Sequence, residues 1–251
     1  MNINRKSFFD AIRTSIHKGS MTPEQVAAYE AILDAAAAYP VTDPRHLAYI
    51  FATARGEVGS AMQPVREIGR GKGKPYGKAD AVTGEAYFGR GFVQLTWANN
   101  YKVMGKRIGF PLYEEPDLAL RPEIAARIIV VGMMEGQFTG KKLGDYLHSG
   151  KTDYANARRI INLMDRAEEF AGYARTYEAA IRSALKEEGK GEVKDKPQAN
   201  PQPAPAPDPS PAPAPPTVPP PKPRVSAVQW IIGAVAAALT FIFAWIFAGG
   251  Q

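Results

Sequence analysis

The feature that most constrains this chain is a proline-rich segment from residue 197 to residue 223. Most of the 22 prolines of the 251-residue chain lie there, alternating with alanine and small polar residues. Such a composition cannot build a packed core and favours extended polyproline II, at about 3.1 Å per residue. We therefore predict a globular domain at 1–188, a spacer at 189–225 and a separate apolar segment after it. Binding of an SH3-like partner is the alternative role for the spacer.

The apolar segment, residues 226–248, contains no charged side chain and is long enough to span a bilayer. Trp230 and Trp245 lie near its two ends, as is typical of interfacial anchors. Gly233 and Ala237 form a small-xxx-small pair, the spacing that lets membrane helices approach closely. The sequence thus predicts one transmembrane helix that contacts the lipid bilayer, with self-association of this tail as a further expectation.

The charges around the predicted transmembrane helix suggest its orientation. Lys222 and Arg224 precede the helix and no charge follows it, so the positive-inside tendency places the globular domain in the cytoplasm. At the N-terminus, Asp10, Arg13 and His17 interrupt any apolar run of the kind that a signal peptide needs. We expect a single-pass anchor in the inner membrane and a domain that stays cytoplasmic until lysis.

Composition excludes several kinds of chemistry. The net charge of +6 and the pI near 9.4 suit anionic partners, but the basic residues are dispersed and no nucleic-acid-binding signature is present. The chain has no cysteine, which excludes disulfides and thiol catalysis. His17, His46 and His148 lie far apart without metal-ligand spacing. We expect no nucleic acid, no metal and no cofactor.

Apolar periodicity and capping residues predict a domain that is mainly α-helical. Thr22 and Pro23 open one helix that runs to Ala38, and Asp43 with Pro44 opens a second, whose apolar residues follow helical spacing to residue 58. Three further helices are predicted, over 122–138, 154–163 and 167–186.

A change of composition between the second and third predicted helices indicates a small β element. Residues 69–77 are predicted to form a flexible glycine-rich loop, and residues 87–97 read as a short strand. The glycines match neither the P-loop nor the dinucleotide-binding spacing, which argues against phosphate binding.

Two carboxyl groups, Glu57 and Glu67, lie ten residues apart in the sequence. Glycoside hydrolysis needs one protonated carboxyl as the acid and one ionised carboxyl to activate water or attack carbon. Helical spacing places Glu57 at the edge of the apolar stripe, where partial burial favours the neutral form. Glu67 falls in the loop beyond, where solvent favours the ionised form. The pair alone is weak evidence, because 25 acidic residues produce such spacings by chance.

Longer motifs strengthen this interpretation. The stretch 52–67 (ATARGEV…MQPVRE) resembles the first motif of glycoside hydrolase family 19, which includes plant-type chitinases and phage lysozymes. The stretch 87–101 (YFGRGFVQLTWANNY) is similar to the second, and 135–143 and 156–162 resemble later parts of the bacterial and phage branch. This resemblance implies a mainly α, lysozyme-like two-lobed domain with a small β element.

The resemblance also implies roles for individual residues and an inverting reaction. Glu57 matches the general acid, Glu67 matches the base, and Thr96 matches a residue that holds the attacking water. The positions that match or adjoin substrate contacts are Arg66, Gln94, Asn100, Tyr101 and Asn162. One position departs from the family: Gly56 stands where a histidine usually precedes the acid.

The substrate follows from the resemblance only as a class, since peptidoglycan and chitin share β-1,4-linked amino sugars. The chain has no cysteine-rich chitin-binding module and is closer to phage-type sequences, which favours peptidoglycan and an endolysin role in host lysis. A chitinase, and a non-catalytic, membrane-anchored wall-binding protein, are the alternatives.

Overall fold

Six α-helices carry the fold of residues 1–191, which are the residues that the computed structural model describes. The predicted spacer and transmembrane helix lie outside this range, except for residues 189–191, which continue the last helix. Within residues 1–191, no helix is both long and apolar enough to cross a membrane. The helices are α1 (Arg5–Ser15), α2 (Pro23–Ala38), α3 (Pro44–Val58), α4 (Ala98–Ile108), α5 (Pro122–Glu135) and α6 (Ala167–Gly191).

Capping residues set the predicted helix starts. The Thr22 hydroxyl accepts a hydrogen bond from the Gln25 backbone N–H, and the Gln25 side chain accepts one from the Thr22 N–H, so α2 begins with a capping box. Asp43 accepts from the backbone of Arg45 at the start of α3. Gly136 ends α5 in the left-handed conformation, three residues earlier than predicted.

Helix α3 lies at the centre of the core, because its residues from Leu47 to Ala54 are all buried. It packs mainly against α6, while α2 packs against α5 and α1 against α6. A cluster of buried rings joins α1, α2, α3 and α6, and full burial of such side chains stabilises a fold by about 1.5–3 kcal/mol each. The rings at its centre are Phe8, Tyr29, Phe51 and Tyr177.

The β structure of the described chain consists of two small antiparallel sheets. Strand β1 (Val65–Arg66) pairs with β2 (Arg90–Gly91), and β3 (Leu147–His148) pairs with β4 (Lys151–Thr152). The predicted strand over 87–97 is correct only for the two residues of β2. Gln94 and Trp97 have φ angles of 53° and 72°, which interrupt extended backbone. A mainly α fold with a small β element is confirmed.

Two parts of the sequence-based prediction need correction. The helix predicted over 154–163 is a short 3₁₀ helix, Asn156–Ile160, because Asp153 accepts from the Asn156 N–H and forms a local turn. Helices α1 and α4 were not predicted. Helix α4 begins at Ala98, and its N-cap residue Trp97 forms no side-chain cap, so the sequence carries no start signal for it.

Candidate active site

Glu57 lies in the last turn of α3 and contacts a buried arginine. Arg158, whose side chain is 3% exposed, donates from Nη1 to Oε1 of Glu57 at 2.6 Å; the Glu57 side chain is 21% exposed. This contact fixes one carboxyl oxygen by a charge-assisted hydrogen bond. Oε2 accepts no hydrogen bond from residues 1–185 and is the oxygen that remains for a proton. The expected partial burial of Glu57 is therefore observed, together with a partner that the sequence did not reveal.

Arg158 is itself held from two sides. Its Nε donates to the Asp165 carbonyl at 3.0 Å, and its guanidinium lies 4.0 Å from the centre of the Phe170 ring. Asn162 follows on the same turn, donating its backbone N–H to the Arg158 carbonyl at 3.0 Å. The Asn162 side chain is half-buried and its carbonyl accepts from the Leu163 N–H. Its amide NH₂ is available for substrate, because it donates to no other described residue.

At position 56, where this chain has glycine and the family usually has histidine, a side chain of α6 lies against the backbone. A Cβ atom at Gly56 would lie 2.3 Å from Cζ of Phe170, whose ring is completely buried. The ring therefore occupies the space that a side chain at position 56 would need. Arg166 also donates to the Gly56 carbonyl at 3.2 Å. In this chain a phenylalanine ring from α6 therefore packs against Gly56, the residue before Glu57, and against the guanidinium of Arg158.

Glu67 follows β1 directly and is oriented by two donors. The Tyr76 hydroxyl donates to Oε1 at 2.9 Å, and the Gly89 N–H donates to Oε2 at 2.9 Å. The Glu67 N–H donates in turn to the Gly89 carbonyl at 2.7 Å. Burial, and then the hydrogen bond to Glu67, raise the pKa of Tyr76 to about 12, so its hydroxyl stays a donor near neutral pH.

The segment that follows β2 holds Tyr76 and β1 in place beside Glu67. The Trp97 ring packs edge-on against Tyr76, with centroids 5.3 Å apart. Gln94 donates from Nε2 to the Val65 carbonyl at 3.1 Å and so links the segment to β1. Asn100 donates to the Thr96 carbonyl at 2.8 Å, while the half-buried Thr96 hydroxyl makes no hydrogen bond within the described part of the chain. That hydroxyl is free to hold a water molecule.

One of the predicted substrate contacts is placed differently, and another takes part in an ion pair. Tyr101 is completely buried, and its hydroxyl donates to the Phe88 carbonyl at 2.8 Å, so it supports the segment from behind and does not reach a sugar. Burial raises its pKa well above the usual range. Arg66 is partly exposed but donates to Asp117 at 2.7 Å. Only Nη2 of Arg66 takes part in this contact, so its other N–H donors remain for substrate and its predicted role stays a prediction.

The site residues fall into two groups. Glu57, Arg158 and Asn162 form one, while Glu67, Gln94 and the Thr96–Asn100 turn form the other around β1 and β2. No hydrogen bond or ion pair joins the groups within residues 1–185. Each carboxyl group is therefore oriented by its own set of partners.

Part of this chain is similar in sequence to known chitinases. The family Glyco_hydro_19, described as Chitinase class I, matches residues 53–138, a range that contains both glutamates. Two endochitinases of Arabidopsis thaliana are 34% and 33% identical over 132 and 127 residues. These alignments cover 49% and 48% of this chain, but only 45% and 44% of the two relatives. These sequence matches support the assignment of this chain to the class of glycoside hydrolases.

Solved structures of similar proteins include a class IV chitinase of family 19 from Zea mays. Its TM-score is 0.47 at 20% identity, covering 69% of this chain and 92% of that one. Chitinase C from Streptomyces griseus has a TM-score of 0.46 at 18% identity, covering 72% and 76%. The lysozyme-like, two-lobed arrangement stays a prediction.

Proposed function

We propose that this chain cleaves β-1,4 bonds between amino sugars of bacterial peptidoglycan, using Glu57 as acid and Glu67 as base. The observation that carries the proposal is the separate orientation of the two carboxyl groups. Arg158 holds one and leaves an oxygen unpaired, while Tyr76 and a backbone N–H hold the other. Two differently held carboxyls are what acid and base roles on one bond require.

The acid step uses the unpaired oxygen of Glu57. Protonated Oε2 donates to the glycosidic oxygen, so the bond to the leaving sugar breaks without forming a free alkoxide. Arg158, still bound to Oε1, stabilises the carboxylate that remains after transfer. The Asn162 amide is placed to bind a sugar on the same side.

The base step uses Glu67 and the Thr96 hydroxyl. An ionised carboxylate accepts hydrogen bonds at both oxygens and still has lone pairs for a water proton. Thr96 and Glu67 together would hold the water while it attacks the anomeric carbon from the face opposite the leaving group, which inverts configuration. Gln94 and Asn100 lie on the same segment and would bind the neighbouring sugars. No covalent intermediate forms in this scheme.

Chitin is the second candidate substrate, because the relatives with the reported identities are endochitinases. The same two carboxyls would serve either polymer, since both contain β-1,4-linked amino sugars. The basic chain, with a net charge of +6, favours the anionic wall polymer over neutral chitin. We accordingly rank peptidoglycan first, with an endolysin role in wall degradation.

The test compares purified peptidoglycan and chitin oligomers as substrates for Glu57→Gln and Glu67→Gln. We expect each variant to lose about 10²–10⁴-fold in rate on the true substrate. Both should stay folded, with a lower melting temperature for Glu57→Gln because the buried Arg158 loses its charged partner. Glu114→Gln is the matched control, because that side chain is exposed and lies outside both groups. A rate within threefold of wild type for either variant would remove that glutamate from the mechanism. Absence of cleavage of both polymers by the wild type would leave only a non-catalytic wall-binding role.

We also propose that residues 226–248 anchor the domain on the inner membrane, where it stays inactive until a membrane lesion admits it to the wall. The support is the uncharged segment and the basic Lys222 and Arg224 before it. Protease added to intact spheroplasts should leave the domain uncut before lysis. Digestion at that stage would show a domain already outside, and would end the latent-anchor proposal.

A further inference from the structure

The glycine-rich segment 69–78, here called the basic loop, is a defined series of turns. The Arg70 N–H donates to the Glu67 carbonyl at 3.0 Å, the Lys72 N–H to that of Gly69 at 2.9 Å, and the Lys74 N–H to that of Gly71 at 2.8 Å. Gly69, Gly71 and Gly73 have φ angles of 79°, 69° and 78°, which glycine adopts without strain. The alternation of glycine with basic residues therefore builds consecutive tight turns, where the sequence alone predicted a flexible loop.

The basic residues of this loop face solvent. Four side chains within nine residues are exposed: Arg70, Lys72, Lys74 and Lys78. No Asp or Glu of the described chain lies within 4.0 Å of any of their charged groups, whereas most other arginines of the domain are paired. The nearby Asp80 carboxylate accepts instead from the backbone of Val82 and Thr83 and from Tyr113. The loop thus presents uncompensated positive charge.

The loop is also attached directly to the candidate base. It begins with the hydrogen bond from Arg70 to the Glu67 carbonyl and ends near Tyr76, whose hydroxyl holds the Glu67 carboxylate. Between these points the chain folds back tightly, since a Cβ atom at Gly77 would lie 2.0 Å from the Gly71 carbonyl oxygen. The backbone that carries the exposed cations is consequently held beside the candidate base.

We propose that the basic loop binds carboxylates on the substrate and so selects an anionic, peptide-bearing glycan over a neutral one. The inference rests on the proposed function and names the substrate class. Peptidoglycan strands carry lactyl-linked peptides that end in carboxylates, while chitin carries no charge. Exposed ion pairs are individually weak, but three or four acting together change affinity appreciably at low salt. Lysine and arginine tips at alternate positions suit an irregular set of carboxylates better than one rigid ligand.

The test uses peptidoglycan freed of phosphate polymers, and the same material with its peptide carboxyls converted to amides. The full-length triple variant Arg70→Gln/Lys72→Gln/Lys74→Gln is compared with the wild type in detergent. We expect KM for the carboxylated glycan to rise about eightfold, because each of three lost ion pairs contributes about twofold, with kcat unchanged. On the amidated glycan the loop variant and the wild type should have the same KM. Raising the ionic strength from about 20 to about 300 mM should remove the difference.

The matched control removes three exposed lysines elsewhere on the described surface. It is the triple variant Lys18→Gln/Lys106→Gln/Lys141→Gln. This protein carries the same net charge as the loop variant, so a non-specific charge effect would appear in both. We expect its KM to stay at the wild-type value on both glycans.

Binding is measured separately by co-sedimentation in a Glu57→Gln background, so that it does not depend on cleavage. A Kd that is about eightfold weaker for the loop variant, on the carboxylated glycan alone, supports the inference even if neither glycan is cut and the proposed function fails. Equal Kd values for the loop variant and its background overturn the inference while leaving the function intact. An effect confined to walls that retain phosphate polymers also overturns it.

Discussion

The packing of Gly56 against Phe170 makes opposite predictions for two similar substitutions. Gly56 lies inside α3, so alanine there should gain about 0.8–1 kcal/mol of helix propensity. The new Cβ would lie 2.3 Å from Cζ of Phe170, more than 1 Å inside ordinary contact, and the ring is completely buried. Such overpacking costs about 1–3 kcal/mol. The strain should therefore cancel or exceed the gain in helix propensity, so that Gly56→Ala is no more stable than the wild type.

Gly172→Ala provides the matched control on α6, because a Cβ at that exposed position meets nothing within 4 Å. It should stabilise the domain by about 0.5–1 kcal/mol. The free energy of unfolding of Gly56→Ala should lie about 1–3 kcal/mol below that of Gly172→Ala. For a domain of this size the difference corresponds to about 2–12 °C in melting temperature.

Activity should separate the two variants as well. Displacing the Phe170 ring moves the Arg158 guanidinium that lies on it, and hence the carboxyl group of Glu57. Calorimetry and turnover are measured on the same full-length proteins, together with Gly56→Ala/Phe170→Leu. The double variant should recover part of the loss, giving a coupling energy of about 0.5–3 kcal/mol. Equal melting temperatures for Gly56→Ala and Gly172→Ala would refute the packing argument.

Two more predictions concern the base and the domain boundary. Tyr76→Phe removes one donor to Glu67 but keeps the ring against Trp97, so kcat should fall about tenfold with little change in stability. The control Tyr113→Phe removes a similar hydrogen bond to Asp80 and should leave kcat unchanged. An equal loss of kcat in both variants would argue against orientation of Glu67 by Tyr76. Residues 1–191 alone should be soluble and active on permeabilised cells, since the core lies within them; an insoluble or inactive fragment would contradict the modular organisation.

Local signals made part of this fold predictable from sequence. Thr22 and Asp43 act through neighbours two or three residues away, so their helix starts could be inferred from the chain itself. The uncapped start of α4 offered no such signal, and the period of residues 154–163 did not reveal the turn that Asp153 forms. Strand length was overestimated because positive φ angles are not visible in composition.

The site was predictable in its residues more than in its contacts. Motif resemblance indicated Glu57 and Glu67, but the ion pair with Arg158 joins residues 101 positions apart, a separation that no periodicity reports. The sequence placed Phe170 only within the helix predicted over 167–186. Its relation to Gly56 depends on the approach of α6 to α3, which is a property of packing.

The most direct test of the central claim is mass spectrometry of fragments that the full-length protein releases from purified peptidoglycan. The account predicts fragments with intact peptides and a new reducing amino sugar, formed by cutting between sugars, and none from Glu57→Gln. Fragments produced by cutting peptide or amide bonds would contradict the two-glutamate mechanism. Release of chitin fragments without any peptidoglycan fragments would show a chitinase instead of an endolysin.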